Sequence, residues 1–314
     1  MTDQKPLVSI VCEAFNHEPF IRKCLDGFVM QKTDFPFEIL IHDDASTDRT
    51  ADIIREYEAK YPDLFRPIYQ TENQYSKRIH LWVKYQFPRA RGKYIATCEG
   101  DDYWTDPLKL QKQFDYMEAH PECSLCFHNA MVHYYDGSRP DHIFANLKDR
   151  DYTGLEACYD WIAHTASFFF RASVIEDYAR MLNQYKHILN GDIPLVVECA
   201  RQGKLHAIPE VMSVYGKHDS GWTHFDTAAR SYLNARSWED QRKAYGREYY
   251  PIADQIMTGY YLSSFSRGIK ERKFGLAAKA LWRGLVLHPG PGIDALRRLP
   301  GDRKRRKAKM KKNA

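Results

Sequence analysis

The chain has 314 residues, 44% of them apolar and 28% charged, and a net charge of +5. That balance supports a buried core and excludes collagen, a coiled coil, a disulfide scaffold and a disordered polymer. The charge is uneven: from Arg297 onward ten Lys/Arg stand against one Asp, so residues 1–296 carry about −4.

The N-terminal MTDQKPLVSIV has no basic region followed by an apolar run, so no secretory signal is expected. LVSIVC at 7–12 predicts a buried strand. In HEPFIRKCLDGFVMQ, Phe20, Ile21, Cys24, Leu25, Phe28 and Val29 fall on one helical face, with Pro19 in the first turn. FEILIHDD predicts a second strand ending in two carboxylates. Ser46, Thr47 and Asp48 then offer caps for a helix carrying Ile53, Ile54, Tyr57 and Tyr61. RPIYQ predicts a third strand, and SKRIHLWVKYQFPRARG a helix up to Pro88. KYIATCEGDD predicts a strand that again ends in acid. Asp106 and Pro107 open a helix, and CSLCFHNAMVHYY follows as a strand. Strands and helices alternate from residue 7 to about 135, which predicts a doubly wound, mostly parallel α/β sheet.

Beyond 140, HTASFFFRAS predicts a strand, ASVIEDYARMLNQYKHIL and NGDIPLVVECARQG helices, and KLHAIPEVMSVYGKHDSGWTH a strand with a polar loop. Residues 226–296 predict helices broken at Gly246, Pro251, Gly259 and Gly268. No run is long and apolar enough for a membrane span. Seven Cys, at 12, 24, 98, 123, 126, 158 and 199, sit in apolar segments and predict reduced, buried thiols. Cys123 and Cys126 form a CxxC without a second pair, and read as two core positions of one strand.

Two strands finish in carboxylates, Asp43/Asp44 and Asp101/Asp102. Ligands of doubly wound sheets bind at those strand ends. Close carboxylates repel, so two such pairs on one edge call for a cation, and oxygen ligands beside a phosphate suit Mg²⁺ or Mn²⁺. Neither a GxGxxG nor a Walker A loop occurs. The basic tail admits three readings: a solubilising segment, a nucleic-acid arm, or an anionic-lipid anchor. With no aromatics interleaved among its charges, nucleic acid is not the expected partner. The preceding FGLAAKALWRGLVLHPG carries an apolar helical stripe, which suits a core or a membrane surface.

Three separated segments resemble the inverting family 2 glycosyltransferases of the GT-A fold: PLVSIVCEAFNHEPFIRKCLDGF, FEILIHDDASTDRTADII and ARGKYIATCEGDDYWTDPLKLQKQ. The similarity runs from residue 6 to about 225. It implies a Rossmann-like GT-A domain over 1–225, a helical C-terminal region over 226–296 and a basic, disordered tail over 297–314. It also implies a nucleotide-sugar site at Cys12, Glu13, Phe15, Asp43, Asp44, Arg91, Gly100 and Asp101, with Ser46, Thr47 and Asp48 in the turn that holds base and ribose. The family's metal-binding DxD becomes Glu99-Gly100-Asp101, so the implied metal ligands are Asp101, Asp102, Glu99 and His218. Gly191-Asp192 resembles the segment bearing the catalytic base, which names Asp192. Val214-Tyr215-Gly216-Lys217-His218 matches an element in which Arg is common where Gly216 stands, so Lys217 is the replacement phosphate contact.

The implied reaction is inverting, metal-dependent transfer from a nucleoside diphosphate sugar, a UDP-sugar first. The acceptor is a hydroxyl of a glycan or lipid-linked oligosaccharide in cell-surface polysaccharide synthesis. The expected location is cytoplasmic, peripheral at the inner membrane face through the basic tail. A sugar-nucleotidyltransferase and a non-catalytic membrane-associated binding protein are the alternatives. The first would carry a Gly-rich phosphate loop after the first strand, where this chain has EAFNHEPF.

Overall fold

The computed structural model describes residues 5–218 and 227–287. The expectations for the first four residues, for the polar loop after His218 and for the tail from 297 fall outside them. The chain divides into two compact units, Met1–Leu182 with Gly191–Gly221, and Asn183–Asn190 with Trp222–Ala314.

In the first unit the apolar runs become strands because their side chains are covered on both faces. In chain order they are β1 (Val8–Ala14), α1 (Ile21–Val29), β2 (Phe37–Asp43), α2 (Thr50–Lys60), β3 (Phe65–Tyr69), β4 (Tyr94–Thr97), β5 (Tyr103–Trp104), α3 (Lys109–Ala119) and β6 (Cys123–Tyr134). They continue with β7 (His142–Ile143), β8 (Arg150–Tyr152), α4 (Gly154–Asp160), β9 (Phe169–Arg171), α5 (Ile175–Gln184), α6 (Asp192–Gln202) and β10 (Lys204–Lys217). The sheet order is β3-β2-β1-β4-β9-β6-β10-β5. β3, β2, β1 and β4 are parallel neighbours, and so are β6 and β10. β9 lies antiparallel between β4 and β6, so all six longer strands point the same way.

The segment before Pro88 is helical without being an α-helix. A 3₁₀ turn covers Tyr75–Lys77, a π-turn Trp82–Gln86 and another 3₁₀ turn Phe87–Arg89. The buried Gln86 amide explains the irregularity, for its Nε2 donates to the carbonyls of Cys12 and Leu40 and ties the segment to the sheet. All seven cysteines are free and buried, with Cys123 and Cys126 in β6.

The second unit carries α7 (Ala228–Tyr245), α8 (Tyr250–Lys270) and α9 (Phe274–Leu281), followed by a π-turn over Trp282–Leu287. Gly246 ends α7 at φ 105°, a conformation that favours glycine, and Pro251 stands in the first turn of α8. Gly259 and Gly268 do not break the chain as expected. They lie inside α8, whose packing outweighs their low helix propensity. His187 joins this unit, its Nδ1 lying 3.0 Å from Asp240 Oδ2.

Candidate active site

Parallel strands bring their C-terminal ends to one rim, so Ala14, Asp43, Thr97, Tyr134 and Lys217 all mark the same edge of the first unit. The α6 helix feeds β10, which starts from the opposite edge, and this returns the N-terminus of α6 to that rim.

The loops after β1 and β2 are zipped together. Asn16 N–H donates to Ser46 Oγ at 2.9 Å, His17 N–H to Thr50 Oγ1 at 2.8 Å and Glu18 N–H to Asp48 Oδ2 at 3.0 Å. Thr47 N–H returns a bond to Asn16 Oδ1 at 2.8 Å. Ser46, Thr47 and Asp48 therefore shape the turn through their own bonds. Asp44 is buried, and its carboxylate accepts the N–H groups of Gln74 and Tyr75 at 2.8 and 2.9 Å, which anchors the 72–77 segment. Asp43 keeps a buried Oδ1 without a partner among the described residues, while its Oδ2 accepts Ser46 N–H at 3.2 Å. Burial raises the Asp43 carboxyl against the bonds from Ser46. Phe15 presents an exposed ring on the same edge. Glu13, beside His42 (Nδ1–Oε2 2.7 Å), is raised by burial, and its carbonyl accepts Gly100 N–H at 2.9 Å.

The acidic turn after β4 holds three carboxyls in three states. Glu99 is pushed up to about 8 by burial, then by the charge of Asp101, and its Oε2 has no partner among the described residues. Asp101 feels burial too, but His17 and His218 outweigh it and hold the group below the ordinary range. His218 Nε2 lies 3.0 Å from Asp101 Oδ2, and His17 Nε2 lies 3.9 Å from the same oxygen. Asp102 turns inward, where its Oδ1 accepts Gly216 N–H at 2.8 Å and its Oδ2 faces His164 Nε2 at 3.6 Å. A Cβ on Gly216 would stand 2.5 Å from the Asp101 carbonyl oxygen. The close approach of β10 to the acidic turn thus requires glycine where the family pattern often has Arg.

Among the described residues no three His, Cys, Asp or Glu form a ready metal cage. Asp101 and His218 nonetheless put an oxygen and a nitrogen donor in contact, with the unpartnered Glu99 Oε2 in the same turn. Mg²⁺ and Mn²⁺ at nucleotide sites commonly take one or two protein ligands and fill the rest with phosphate and water. The donor set fits such an ion through Asp101 and His218.

Asp192 opens α6, accepts Ile193 N–H at 2.9 Å, and is raised by burial. Its charge reaches Glu99, and Tyr215 feels Asp102, Asp101, Glu99 and Asp192 together. The N-terminus of α6 therefore carries Asp192 to the same rim as the acidic turn. Lys217 donates to the Tyr215 hydroxyl and sits over its ring at 3.9 Å. Burial lowers the Lys217 amine, against the pull of Asp102 and Asp101.

The structure brings Glu13, Phe15, Asp43, Glu99, Gly100, Asp101, Asp192 and His218 to the rim. It does not bring Arg91, whose guanidinium pairs with Glu38 at 2.8 Å and whose backbone lies against Ser9, at the other end of the sheet. Cys12 is fully buried and gives its carbonyl to Gln86, so it offers a ligand nothing. The Asp44 carboxylate takes two backbone N–H groups and that of Asp102 one, whereas Asp43 is buried with Oδ1 unpartnered among the described residues, and Asp101 is partly exposed. Residue patterns missed His17, His164 and Tyr215, whose ring packs against that of His164. The only signal for His17 was a histidine three residues past a strand that ends on the same rim as the acids.

The family described as Glycosyl transferase family 2 matches residues 9–179. An uncharacterised protein of Mycobacterium bovis is 40% identical over 232 residues, 73% of this chain and 64% of that protein. The chain thus spans a little under two thirds of that relative's length. TuaG of Bacillus subtilis, whose name assigns it to teichuronic acid biosynthesis as a glycosyltransferase, is 31% identical over 141 residues, 45% of this chain and 53% of TuaG. Among solved structures, S. aureus TarS 1-349 in complex with UDP-GlcNAc superposes with TM-score 0.62 at 15% identity, covering 92% of this chain and 83% of that one. The mannosyltransferase PcManGT of Pyrobaculum calidifontis, in complex with GDP-Man and Mn²⁺, gives 0.54 at 16% identity over 95% of this chain and 81% of that one. These two carry the fold, which is GT-A: a mostly parallel sheet flanked by helices, with C-terminal helices. The family match spans more than half of the sequence, and the chain belongs to glycosyltransferase family 2.

Proposed function

We propose that the chain is an inverting, metal-dependent glycosyltransferase. It moves a sugar from a nucleoside diphosphate donor, a UDP-sugar first, to a hydroxyl of a glycan or lipid-linked oligosaccharide during cell-surface polysaccharide synthesis. The observation that carries this reading is the pairing of Asp101 with His218 at 3.0 Å on the rim that also holds Asp192 at the N-terminus of α6. TarS with UDP-GlcNAc and PcManGT with GDP-Man support the donor class, and the Mn²⁺ of the latter supports a divalent ion. TuaG's name supports the polysaccharide setting.

In this proposal Phe15 offers a face to the base, and Asp43 Oδ1 and the backbone from Glu13 hold the nucleoside. Gly100 lets the acidic turn pack against His17 and Ile21, which a Cβ there would meet at 2.8 and 3.0 Å. Asp101 and His218 would hold the ion, with Glu99 in the same turn, and Lys217 adds positive charge. A divalent ion bound there neutralises charge on the departing diphosphate. Asp192, ionised, accepts the proton of the acceptor hydroxyl as its oxygen attacks the anomeric carbon from the face opposite the leaving group. The anomeric centre inverts. The transferase domain is taken as residues 1–225, the helical region as 226–296, and the tail from 297 as a basic anchor at the cytoplasmic face of the membrane.

A panel of sugar nucleotides tests the reading. Transfer or donor hydrolysis releases nucleoside diphosphate and stops in EDTA. Pyrophosphate release instead identifies a nucleotidyltransferase, and release of neither identifies a binding protein.

A further inference from the structure

The C-terminal helices pack with the usual size order reversed. The α9 face turned toward α8 is built from small residues: Ala277 and Ala280 are buried, and a Cβ on Gly268 would lie 3.0 Å from that of Ala277. Gly284, in the turn after α9, comes equally close to Tyr261. The large apolar side chains point outward. Phe274 is 64% exposed and Trp282 59%, and with the exposed Ala278 they repeat at i, i+4 and i+8, with Leu281 half-buried alongside. The corner before α9 exposes Ile269 as well. A Cβ on Gly275, beside Phe274, would meet nothing within 4 Å. A helix that served only the core would turn its Phe and Trp inward and its alanines outward.

The charge around this stripe is mostly basic, with Lys273 paired to Glu271 and Arg283 to Glu239, each at 2.8 Å. From 267 to 283 the sequence holds Arg267, Lys270, Arg272, Lys273, Lys279 and Arg283 against the single acid Glu271. Among the described residues no helix is long and apolar enough to cross a membrane, so the stripe does not belong to a span. Tryptophan and phenylalanine on one face with lysines beside them is the composition of a helix that lies in the headgroup layer.

We propose that the outer face of α9, led by Phe274 and Trp282 and flanked by Lys270 and Lys279, docks on an anionic lipid bilayer. Apolar insertion supplies the holding energy and the basic residues supply preference for anionic headgroups. The inference rests on this face alone, so a chain that binds vesicles yet transfers no sugar would leave it standing.

The test is co-sedimentation of the full-length chain with vesicles of phosphatidylcholine, alone or mixed with phosphatidylglycerol, at near-physiological salt. Binding to the mixed vesicles is expected. Phe274→Ser with Trp282→Ser should lower that partition by at least roughly tenfold, with the cooperative thermal unfolding of the chain retained. Lys270→Glu with Lys279→Glu keeps the stripe and should lose the preference for phosphatidylglycerol, which provides a second reading if the serine pair fails to fold. A chain lacking residues 297–314 should still bind more than the serine pair does. Unchanged binding by the serine and charge variants, with binding lost only on removal of the tail, would overturn the proposal. So would a chain that ignores both vesicles and forms a dimer that the serine pair dissociates, because a second copy would then be the occupant.

Discussion

Gly216 gives the sharpest test of how the site is built. Replacing it with Ala adds one methyl, whose carbon would stand 2.5 Å from the Asp101 carbonyl oxygen and 3.0 Å from the Tyr135 ring. Ordinary contact needs almost 1 Å more, so either β10 or the acidic turn must move by about that much. Overpacking of this kind costs about 1–3 kcal/mol of stability. The motion also stretches the bond from Gly216 N–H to Asp102, whose carboxyl burial raises well above the ordinary range, and a hydrogen bond of that kind contributes about 0.5–1.5 kcal/mol. The functional cost should be larger in proportion. Asp101 meets His218 at 3.0 Å, and a misplacement of about 1 Å in a catalytic array costs roughly 100-fold in rate. Gly216→Ala is therefore expected to lose about 2 kcal/mol in urea unfolding and roughly 100-fold in diphosphate release. Gly216→Arg, which restores the residue common in the family, should be worse than alanine. A Gly216→Ala chain with unaltered stability and rate would refute the close approach of β10, and an active Gly216→Arg chain would refute the view that Lys217 has taken over the cation.

Asp192→Asn should cut the transfer rate by about 10²–10⁴-fold while nucleotide-induced thermal stabilisation persists. Because burial raises the Asp192 carboxyl, wild-type activity should fall as pH drops through a value above the ordinary aspartate range, and the variant should lack that acidic limb. Asp43→Asn is expected to weaken nucleoside diphosphate binding about tenfold in calorimetry, the scale of one hydrogen bond to a charged group. Asp44→Ala should instead cost roughly 2–4 kcal/mol of stability by stranding the N–H groups of Gln74 and Tyr75. Lys109 is fully buried over the Trp104 ring, 3.7 Å from its centroid, and burial depresses its amine to about 7. The unfolded chain then binds a proton at this group that the folded one lacks, so the Lys109 contribution to stability is greatest above about pH 10 and falls as pH drops toward 7. Lys109→Met should remove about 2 kcal/mol of that loss between pH 9 and pH 7 in urea unfolding.

The alternation of apolar runs with amphipathic segments is a local property, and it was enough to predict the doubly wound sheet, with β1, β2 and β6 close to their observed bounds, whereas β4 ends at Thr97 and leaves the acids in a turn. A strand's two-sided burial is written in consecutive Val, Ile and Leu, and a strand ending in acid marks the ligand rim. The antiparallel β9 was not legible as such, because Phe168, Phe169 and Phe170 fill an interior position in either direction. Gly259 and Gly268 misled for a related reason: propensity signals a break, and only the packing of α8 shows that none occurs.

The acids themselves were visible in sequence, but their division of labour was not. Asp43 and Asp44 are neighbours in the chain, as are Asp101 and Asp102, and residue type cannot say which member turns inward. That depends on which backbone N–H groups a distant segment presents: Gln74 and Tyr75 to Asp44, Gly216 to Asp102. Arg91 stands only three residues before the strand that leads to the acidic turn, yet the length of β4 carries it to the opposite edge. Sequence determined the fold class, the rim and the residue types gathered there. Tertiary contact decided which oxygen remains open, because a carboxylate already bonded to backbone N–H groups has little left for a ligand.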